Sequence, residues 1–407
     1  MQRHICELGY GQPKGKRKYS VKGRGNTIKV GIMTWYKYLN YGTALQVTAL
    51  SKKIADFGYL PYVIQYDPTL NFPAVPSSFG VSLFFRKAVD KLLSIMLVPK
   101  IYRTNERKRL YNDYLEARLK ETGECFTEDA LRALNGSFDA FVCGSDQVWS
   151  PLCFDDKYFL SFVEDPSRMV AYAPSMGAME IADKTIQAEM AKLLRRFSQL
   201  SVRELQGAKM IRELTGQEAK VLLDPTLLLT AEEWDSFADT DLAPRIETPY
   251  ILSYYLGDPT RYRKYVRRVS KKTGLPIYEI PIRRVWGKYS KFPFEVGPRE
   301  FVALIRNATF VCTDSFHGLA FSVNYNVPFS VFERFEKDDP KNQNSRIYSI
   351  LELLGLQERL ISPASTGSFD HLLKPPIHET TQTRLDRLRQ ESLQFLKSSL
   401  EAIATKE

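Results

Sequence analysis

A chain of 407 residues, 44% hydrophobic and 26% charged, has the composition of a folded globular protein and is long enough for two domains with separate cores. No apolar run approaches the ~20 residues of a membrane-spanning helix, and the five cysteines (Cys6, Cys125, Cys143, Cys153 and Cys312) form no C-x-x-C pair, which argues against a zinc site or a disulfide framework. The net charge of +10 is concentrated at the N-terminus, where residues 1 to 28 carry seven basic residues against Glu7 alone, so no nucleic-acid partner is expected.

Residues 1–26 show neither helical nor strand period and read as a disordered basic tail. Ile28 to Thr34 is the first strand. Its loop runs through Trp35-Tyr36-Lys37-Tyr38-Leu39-Asn40-Tyr41-Gly42 to an amphipathic helix from Thr43 to Phe57, and Pro61 to Tyr66 is the next strand. This βαβ beginning predicts a parallel sheet with the first loop at its ligand edge. From Val81 to Leu97, apolar residues recur at three- and four-residue spacing between Arg86, Lys87, Asp90 and Lys91, and further basic residues follow to Arg109. A basic amphipathic helix of this kind suits an anionic membrane surface or a lipid-linked substrate, so peripheral membrane contact is expected over residues 81–110.

Phe138 to Cys143 is a strand ending in Gly144-Ser145-Asp146-Gln147-Val148-Trp149. After it come a strand from Arg168 to Ala173 and a helix from Ile186 to Phe197. Short strands at Leu200 to Val202 and Ala219 to Leu223 then end in Arg203-Glu204 and Asp224-Pro225-Thr226. A row of polar and glycine turns at one sheet edge is a binding rim. Asp224, before Pro225, reads as structural, fixing the connection between domains. Residues 231–247 are polar and proline-containing, and read as a linker.

The pattern restarts with a strand at Tyr250 to Leu256, a helix near Thr260 to Lys272, a strand at Pro276 to Ile280, a basic loop with Arg283, Arg284 and Lys288, and a helix at Pro298 to Asn307. Thr309 to Cys312 is a buried strand, and helix-like spacing begins at His317, so Thr313-Asp314-Ser315 is a strand-to-helix turn. In an open α/β sheet such a turn faces the ligand, and the free N–H groups of the helix attract anions; Asp314 or Ser315 can equally serve only as a helix cap. His4, His371 and His378 lie near the termini, which leaves His317 as the one imidazole inside the patterned chain. Pro328 to Phe332 is the last strand, Ser345 to Leu354 a short helix, and Thr381 to Ile403 a terminal amphipathic helix. The chain thus divides into two facing α/β domains, 27–230 and 248–360, with an extension at 361–407 whose helix is expected to return to the first domain.

Five motifs in this order carry a resemblance: Asn-Tyr-Gly-Thr-Ala-Leu-Gln at 40 to 46, Gly-Ser-Asp-Gln-Val-Trp at 144 to 149, Ser-Val-Arg-Glu at 201 to 204, Leu-Leu-Asp-Pro-Thr at 222 to 226, and Thr-Asp-Ser-Phe-His-Gly at 313 to 318. From about residue 28 to 360 the chain resembles the polysaccharide pyruvyl transferase family. The resemblance implies a GT-B-like fold, two Rossmann-like domains around a cleft, and transfer of pyruvate from phosphoenolpyruvate onto a sugar as a ketal, with no cofactor and no metal. Members often carry Ser-Arg-Leu-His where this chain has Asp314-Ser315-Phe316-His317. The arginine is absent here, and Arg203, Arg334 and Arg346 are the candidates to replace it.

For that chemistry His317 is expected as the acid at the phosphate, Arg203 as the carboxylate clamp, and Asp146, in preference to Asp314, as the base for the acceptor hydroxyl. Asn40, Gly42, Ser145, Gln147, Trp149, Ser315, Gly318 and Arg346 are expected among the substrate-binding residues. Tyr36, Tyr38, Tyr41 and Trp149 are candidates to stack on a sugar ring or to serve as packing. The expected setting is cytoplasmic, at the inner membrane face, with a lipid-linked glycan as acceptor. Two other readings share features of this chain: a nucleotide-sugar glycosyltransferase on the same fold, and a non-catalytic module binding polyanions through its basic tail.

Overall fold

The computed structural model describes residues 27–67, 105–237, 249–280, 290–292, 295–339, 341–362, 365 and 367–405. The basic tail, the expected helix at 81–97, the basic loop at 283–288 and residues 238–247 of the expected linker lie outside these.

Thirteen short strands form two all-parallel sheets among the described residues. The first contains β1 (Lys29–Met33), β2 (Leu60–Gln65), β3 (Glu121–Glu124), β4 (Ala140–Cys143), β5 (Met169–Ala171), β6 (Gln199–Val202) and β7 (Lys220–Val221), in the order β3-β2-β1-β4-β5-β6-β7. The second contains β8 (Ile251–Tyr254), β9 (Ile277–Ile280), β10 (Ser290–Lys291), β11 (Phe310–Thr313), β12 (Phe329–Phe332) and β13 (Leu360–Ile361), in the order β10-β9-β8-β11-β12-β13. Central strands such as β4 and β11 are buried at every position because helices cover both faces of a parallel sheet. In each sheet the strand order reverses once, between β1 and β4 and between β8 and β11, and a crevice opens at the carboxyl ends of such a pair.

Helix Tyr41–Asp56 starts two residues before the expected Thr43, because the Asn40 side chain caps it by accepting from the Gly42 N–H at 3.0 Å. The expected linker likewise opens with a helix, Ala231–Asp235. A reciprocal capping box of Thr230 and Glu233 starts it, and its Trp234 is fully buried.

The sheets are joined by a knot around Pro225–Leu227. The Thr226 carbonyl accepts from Trp234 Nε1 (2.9 Å) and Asn324 Nδ2 (3.1 Å), Asn324 also reaches the Leu229 carbonyl (2.9 Å), and Trp234 packs edge-on against Phe321 of the second sheet's helix Phe316–Asn324. The terminal helix Glu379–Ala404 returns to the first sheet, where Phe395, Leu396, Leu400 and Ile403 pack with Val30, Ile32, Ala140 and Val142. Leu396 is completely enclosed. Leu396→Ala is expected to lower the unfolding free energy by about 2–5 kcal/mol in urea denaturation, the usual cost of such a cavity.

Candidate functional site

Polar residues at the ends of β1, β4, β5 and β6 are locked together before any ligand arrives. Gln46 is fully buried; its Nε2 donates to Thr34 Oγ1 (3.1 Å) and the Trp35 carbonyl (3.1 Å), and its Oε1 accepts from the Ser145 N–H (3.2 Å). Thr34 Oγ1 in turn donates to the Ser145 carbonyl at 3.0 Å. Asp146, with φ at 64°, accepts from Thr43 Oγ1 (2.7 Å) and from the Gln147 N–H (2.9 Å). Glu204 holds the next loop, its Oε1 accepting from Ser175 Oγ (3.1 Å), the Met176 N–H (2.7 Å) and the Gly177 N–H (2.9 Å).

Asp224, expected to fix the connection between the domains, stands at the centre of this cluster. It is fully buried: one oxygen accepts from the Thr226 N–H (2.9 Å) and hydroxyl (2.7 Å), the other from Arg203 Nη1 (2.5 Å) and Ser145 Oγ (3.2 Å). That second oxygen lies 3.7 Å from His317 Nε2, an ion-pair approach longer than a hydrogen bond. Burial pushes the Asp224 carboxyl up, but His317, Arg203 and the Thr226 N–H outweigh it and hold the group well below the usual carboxylate range. The pair spans the cleft, since Asp224 follows β7 and His317 follows β11.

His317 fits because position 42 has no side chain. A Cβ on Gly42 would lie 1.8 Å from His317 Nδ1, so the imidazole rests directly on the first turn of helix Tyr41–Asp56. Gly318 is constrained in the same way, with a Cβ there meeting Thr313 Oγ1 at 2.4 Å.

Arg203 meets this pair directly, and Arg334 and Arg346 are near enough for their charges to act on one another. Arg203 lies flat over the Phe316 ring at 4.5 Å; one of its nitrogens is committed to Asp224, while Nε and Nη2 are buried without a hydrogen-bond partner. Nη2 lies 3.9 Å from Asp146 Oδ1. Arg334 Nη2 donates to the Asp314 carbonyl (3.1 Å), and its Nε is buried without a hydrogen bond, 3.9 Å from Asp314 Oδ1. Arg346 donates to the Gln343 carbonyl (3.2 Å) and to Gln343 Oε1 (3.3 Å), the latter also accepting from Gln147 Nε2 (2.8 Å) across the cleft. Burial, then the charges of Arg334 and Arg203, push the Arg346 guanidinium down to about 9, the response of a cation crowded by other cations.

The expected site residues separate into groups. Asp146, Ser145, Gln147, Arg203, Arg346, Gly42 and His317 are brought together. Asn40 and Ser315 are helix caps, Ser315 Oγ accepting from the Gly318 N–H at 3.4 Å, so this donor expected for an anion is already used. Asp314 caps no helix; it accepts from the Leu256 and Gly257 N–H groups (2.7 and 2.9 Å) and Tyr262 OH (3.1 Å), pinning the loop after β8. Trp149 is corrected from the rim to the core, stacked on Phe159 at 5.0 Å with Nε1 donating to the Tyr158 carbonyl. Tyr41 is also enclosed, stacked on Phe301 at 4.5 Å. Gln46, Thr43, Glu204 and Gln343 were not foreseen. The first three sit inside or beside the quoted motifs, whereas nothing in the sequence marks Gln343. Among the described residues no group of His, Cys, Asp and Glu side chains is placed to hold a metal ion, and no helix is long and apolar enough to cross a membrane.

Two parallel sheets of Rossmann-type order, with the site in the cleft between their carboxyl edges, give the two-domain GT-B-like α/β architecture. The sequence profile of the polysaccharide pyruvyl transferase family matches residues 40–334, well over half of the chain, and the chain belongs to that family. No curated protein matches it. Solved structures similar in fold include the UDP-GlcNAc 2-epimerase from Neisseria meningitidis bound to UDP-GlcNAc (10% identity, 91% of this chain and 99% of that chain covered, TM-score 0.45). The glycosyltransferase SnogD from Streptomyces nogalater is another (9% identity, 94% and 100% covered, TM-score 0.41). These likenesses say nothing of activity.

The depressed Asp224 carboxyl sets a pH dependence. Between its folded and unfolded pKa values the unfolded chain binds the extra proton, so this contribution is complete above the ordinary value near ~3.9 and is lost as pH falls below it. Asp224→Asn is expected to be about 3–5 kcal/mol less stable at pH 7, because Arg203 is left buried without its partner. Its stability should also fall less steeply than that of the wild type on acidification below roughly pH 4, read by urea denaturation across pH.

Proposed function

We propose that this family member transfers pyruvate from phosphoenolpyruvate to two hydroxyls of a sugar unit in a polysaccharide or its lipid-linked precursor, forming a ketal on the cytoplasmic side of the membrane. The observation that carries this reading is the free edge of Arg203. Nε and Nη2 are the side-on pair that matches both oxygens of one carboxylate, and here both are buried without a hydrogen bond, Nη2 lying 3.9 Å from Asp146 Oδ1, while Nη1 is anchored on Asp224. A buried cationic edge of this kind suits an anion that supplies the missing acceptors. Arg334 and Arg346 then stand for the donor's phosphate, taking the place of the family arginine that this chain replaces with Ser315.

In the reaction as proposed, one acceptor hydroxyl adds to C2 of the enol while C3 gains a proton. The C2–O bond to phosphate breaks with its electron pair leaving on phosphate, and the second hydroxyl closes the ring at C2. Two hydroxyl protons are released, and C3 and the departing phosphate each take one, so no cofactor is consumed. His317 serves the departing phosphate, with Asp224 balancing an imidazolium 3.7 Å away. Asp146, held by Thr43, receives the proton of the attacking hydroxyl. Gly42 fixes the imidazole on this line.

Phosphoenolpyruvate at about 100 times its dissociation constant is expected to add about 2.7 kcal/mol of stability, read as a rise in Tm of the wild type and lost in His317→Ala and Arg203→Lys. Protection by uridine diphosphate and not by phosphoenolpyruvate would overturn the reading in favour of a glycosyltransferase. Gly42→Ala, which pushes the imidazole aside, is expected to lower kcat for transfer of labelled pyruvate about 100-fold or more while the fold persists by circular dichroism.

A further inference from the structure

Among the described residues the exposed large apolar side chains are Tyr38 (44%), Leu152 (50%), Met179 (39%) and Leu205 (37%). Single exposed apolar residues are ordinary on a protein surface, but they are then scattered. These four follow the carboxyl ends of β1, β4, β5 and β6, which are consecutive neighbours in the first sheet, so they share the edge that carries Asp146, Arg203 and Asp224. Tyr38 is continuous with the reaction centre along the chain: its carbonyl accepts from the Asn40 N–H at 2.7 Å, Asn40 caps the helix, and Gly42 of that helix touches His317.

The ring of Tyr38 packs edge-on against Trp35, with centroids 5.7 Å apart, and nearly half of the residue stays open to solvent. Of the four aromatic candidates for a sugar platform, Tyr36, Tyr41 and Trp149 are enclosed, which leaves Tyr38. Its electrostatic surroundings are acidic. Burial first, then Asp67, Cys153, Asp155 and Asp146, push its phenol up. Both Asp155 oxygens are already taken, by Tyr66 OH (2.7 Å) and the Lys157 N–H (3.0 Å), so this carboxylate contributes its field rather than a free acceptor. Lys37 beside Tyr38 is tied to Glu121 at 2.8 Å, and Lys157 to Glu128 at 2.7 Å. The cleft is therefore cationic around Arg203, Arg334 and Arg346 and acidic and aromatic toward Tyr38.

We propose that Tyr38 is the acceptor platform, stacking on the C–H face of an uncharged hexose unit of the glycan, with Leu152, Met179 and Leu205 continuing an apolar rim for the rest of that chain. This deepens the pyruvyl transferase reading and rests on it. A pyranose ring has an apolar face and a rim of hydroxyls, which an exposed aromatic beside polar loops matches. A uronic acid or phosphorylated sugar in the same place would meet like charge from Asp67, Asp146 and Asp155.

The test is binding of methyl glycosides of glucose, galactose and mannose, and of the corresponding methyl uronides, by saturation-transfer NMR titration with the full chain. At least one neutral glycoside should bind the wild type and Tyr38→Phe with similar affinity, and Tyr38→Ala about tenfold more weakly, the scale of losing one aromatic anchor. The matching uronide should bind more weakly than the neutral sugar. Phosphoenolpyruvate protection, measured on the same samples, should be unchanged by Tyr38→Ala; its absence from the wild type would count against the donor reading alone. Failure of every neutral glycoside to bind the wild type, equal binding by Tyr38→Ala, or preference for the uronide overturns the platform. So does sedimentation with phosphatidylcholine–phosphatidylglycerol vesicles that Leu152→Asp abolishes while no glycoside binds, which would assign the rim to lipid.

Discussion

A carboxylate sealed from water has to be neutralised where it stands, and Asp224 is sealed completely. Its partners come from separate places: Arg203 from the end of β6, Ser145 from the end of β4, the Thr226 N–H from its own turn, and His317 from the second sheet. Each of those segments must therefore stand in register with the others for the charge to be tolerated. Desolvation of one ion costs several kcal/mol, comparable to much of a domain's net stability, so a displaced sheet would be penalised heavily. The apolar knot of Trp234 and Phe321 and the hydrogen bonds of Asn324 act on the same junction. Packing thus brings the sheets together, and the ion pair selects how they meet.

Around that centre the charges do not cancel. Arg203 is offset by Asp224, with Asp146 and Glu204 nearby, and the three carboxylates together overcome its burial and raise it above the ordinary guanidinium range. Arg346 has no carboxylate of its own and is driven the other way. Arg203 Nε, Arg203 Nη2 and Arg334 Nε, buried without a hydrogen bond, lie on the same side of this imbalance. Buried donors without acceptors are costly in a folded protein. Such a centre and the acidic aromatic ledge at Tyr38 are two different environments in one cleft.

Much of the fold was legible from local pattern. The expected strands at Phe138 to Cys143 and Thr309 to Cys312 appear as Ala140–Cys143 and Phe310–Thr313, buried throughout because both sheet faces are covered, and the helix Ser345–Leu354 appears with the expected bounds. The start of helix Tyr41–Asp56 was misread because Gly42 resembles a loop residue, although it serves there as the bare surface that admits His317. The helix at Ala231–Asp235 was hidden in a polar stretch, and the capping box that starts it, Thr-x-x-Glu, was visible in the letters.

Residue type and position along the chain determined the parallel α/β architecture, the row of polar turns at strand ends, and the family, because each depends on periodicity or on short contiguous motifs. Tertiary structure decided which of those turns meet. Asp314 read as a helix cap or a proton acceptor, yet Ser315 is the cap and Asp314 is spent on the Leu256 and Gly257 N–H groups, while Asp224, read as joining the domains, meets His317 there. Trp149 and Tyr38 both looked able to stack on a sugar, and only enclosure by Phe159 in one case and exposure beside Trp35 in the other separates them. Burial and partner identity are set by residues that are distant in sequence, as Gln343 is from Gln147, and no local pattern encodes a contact between segments that meet only when both sheets have formed.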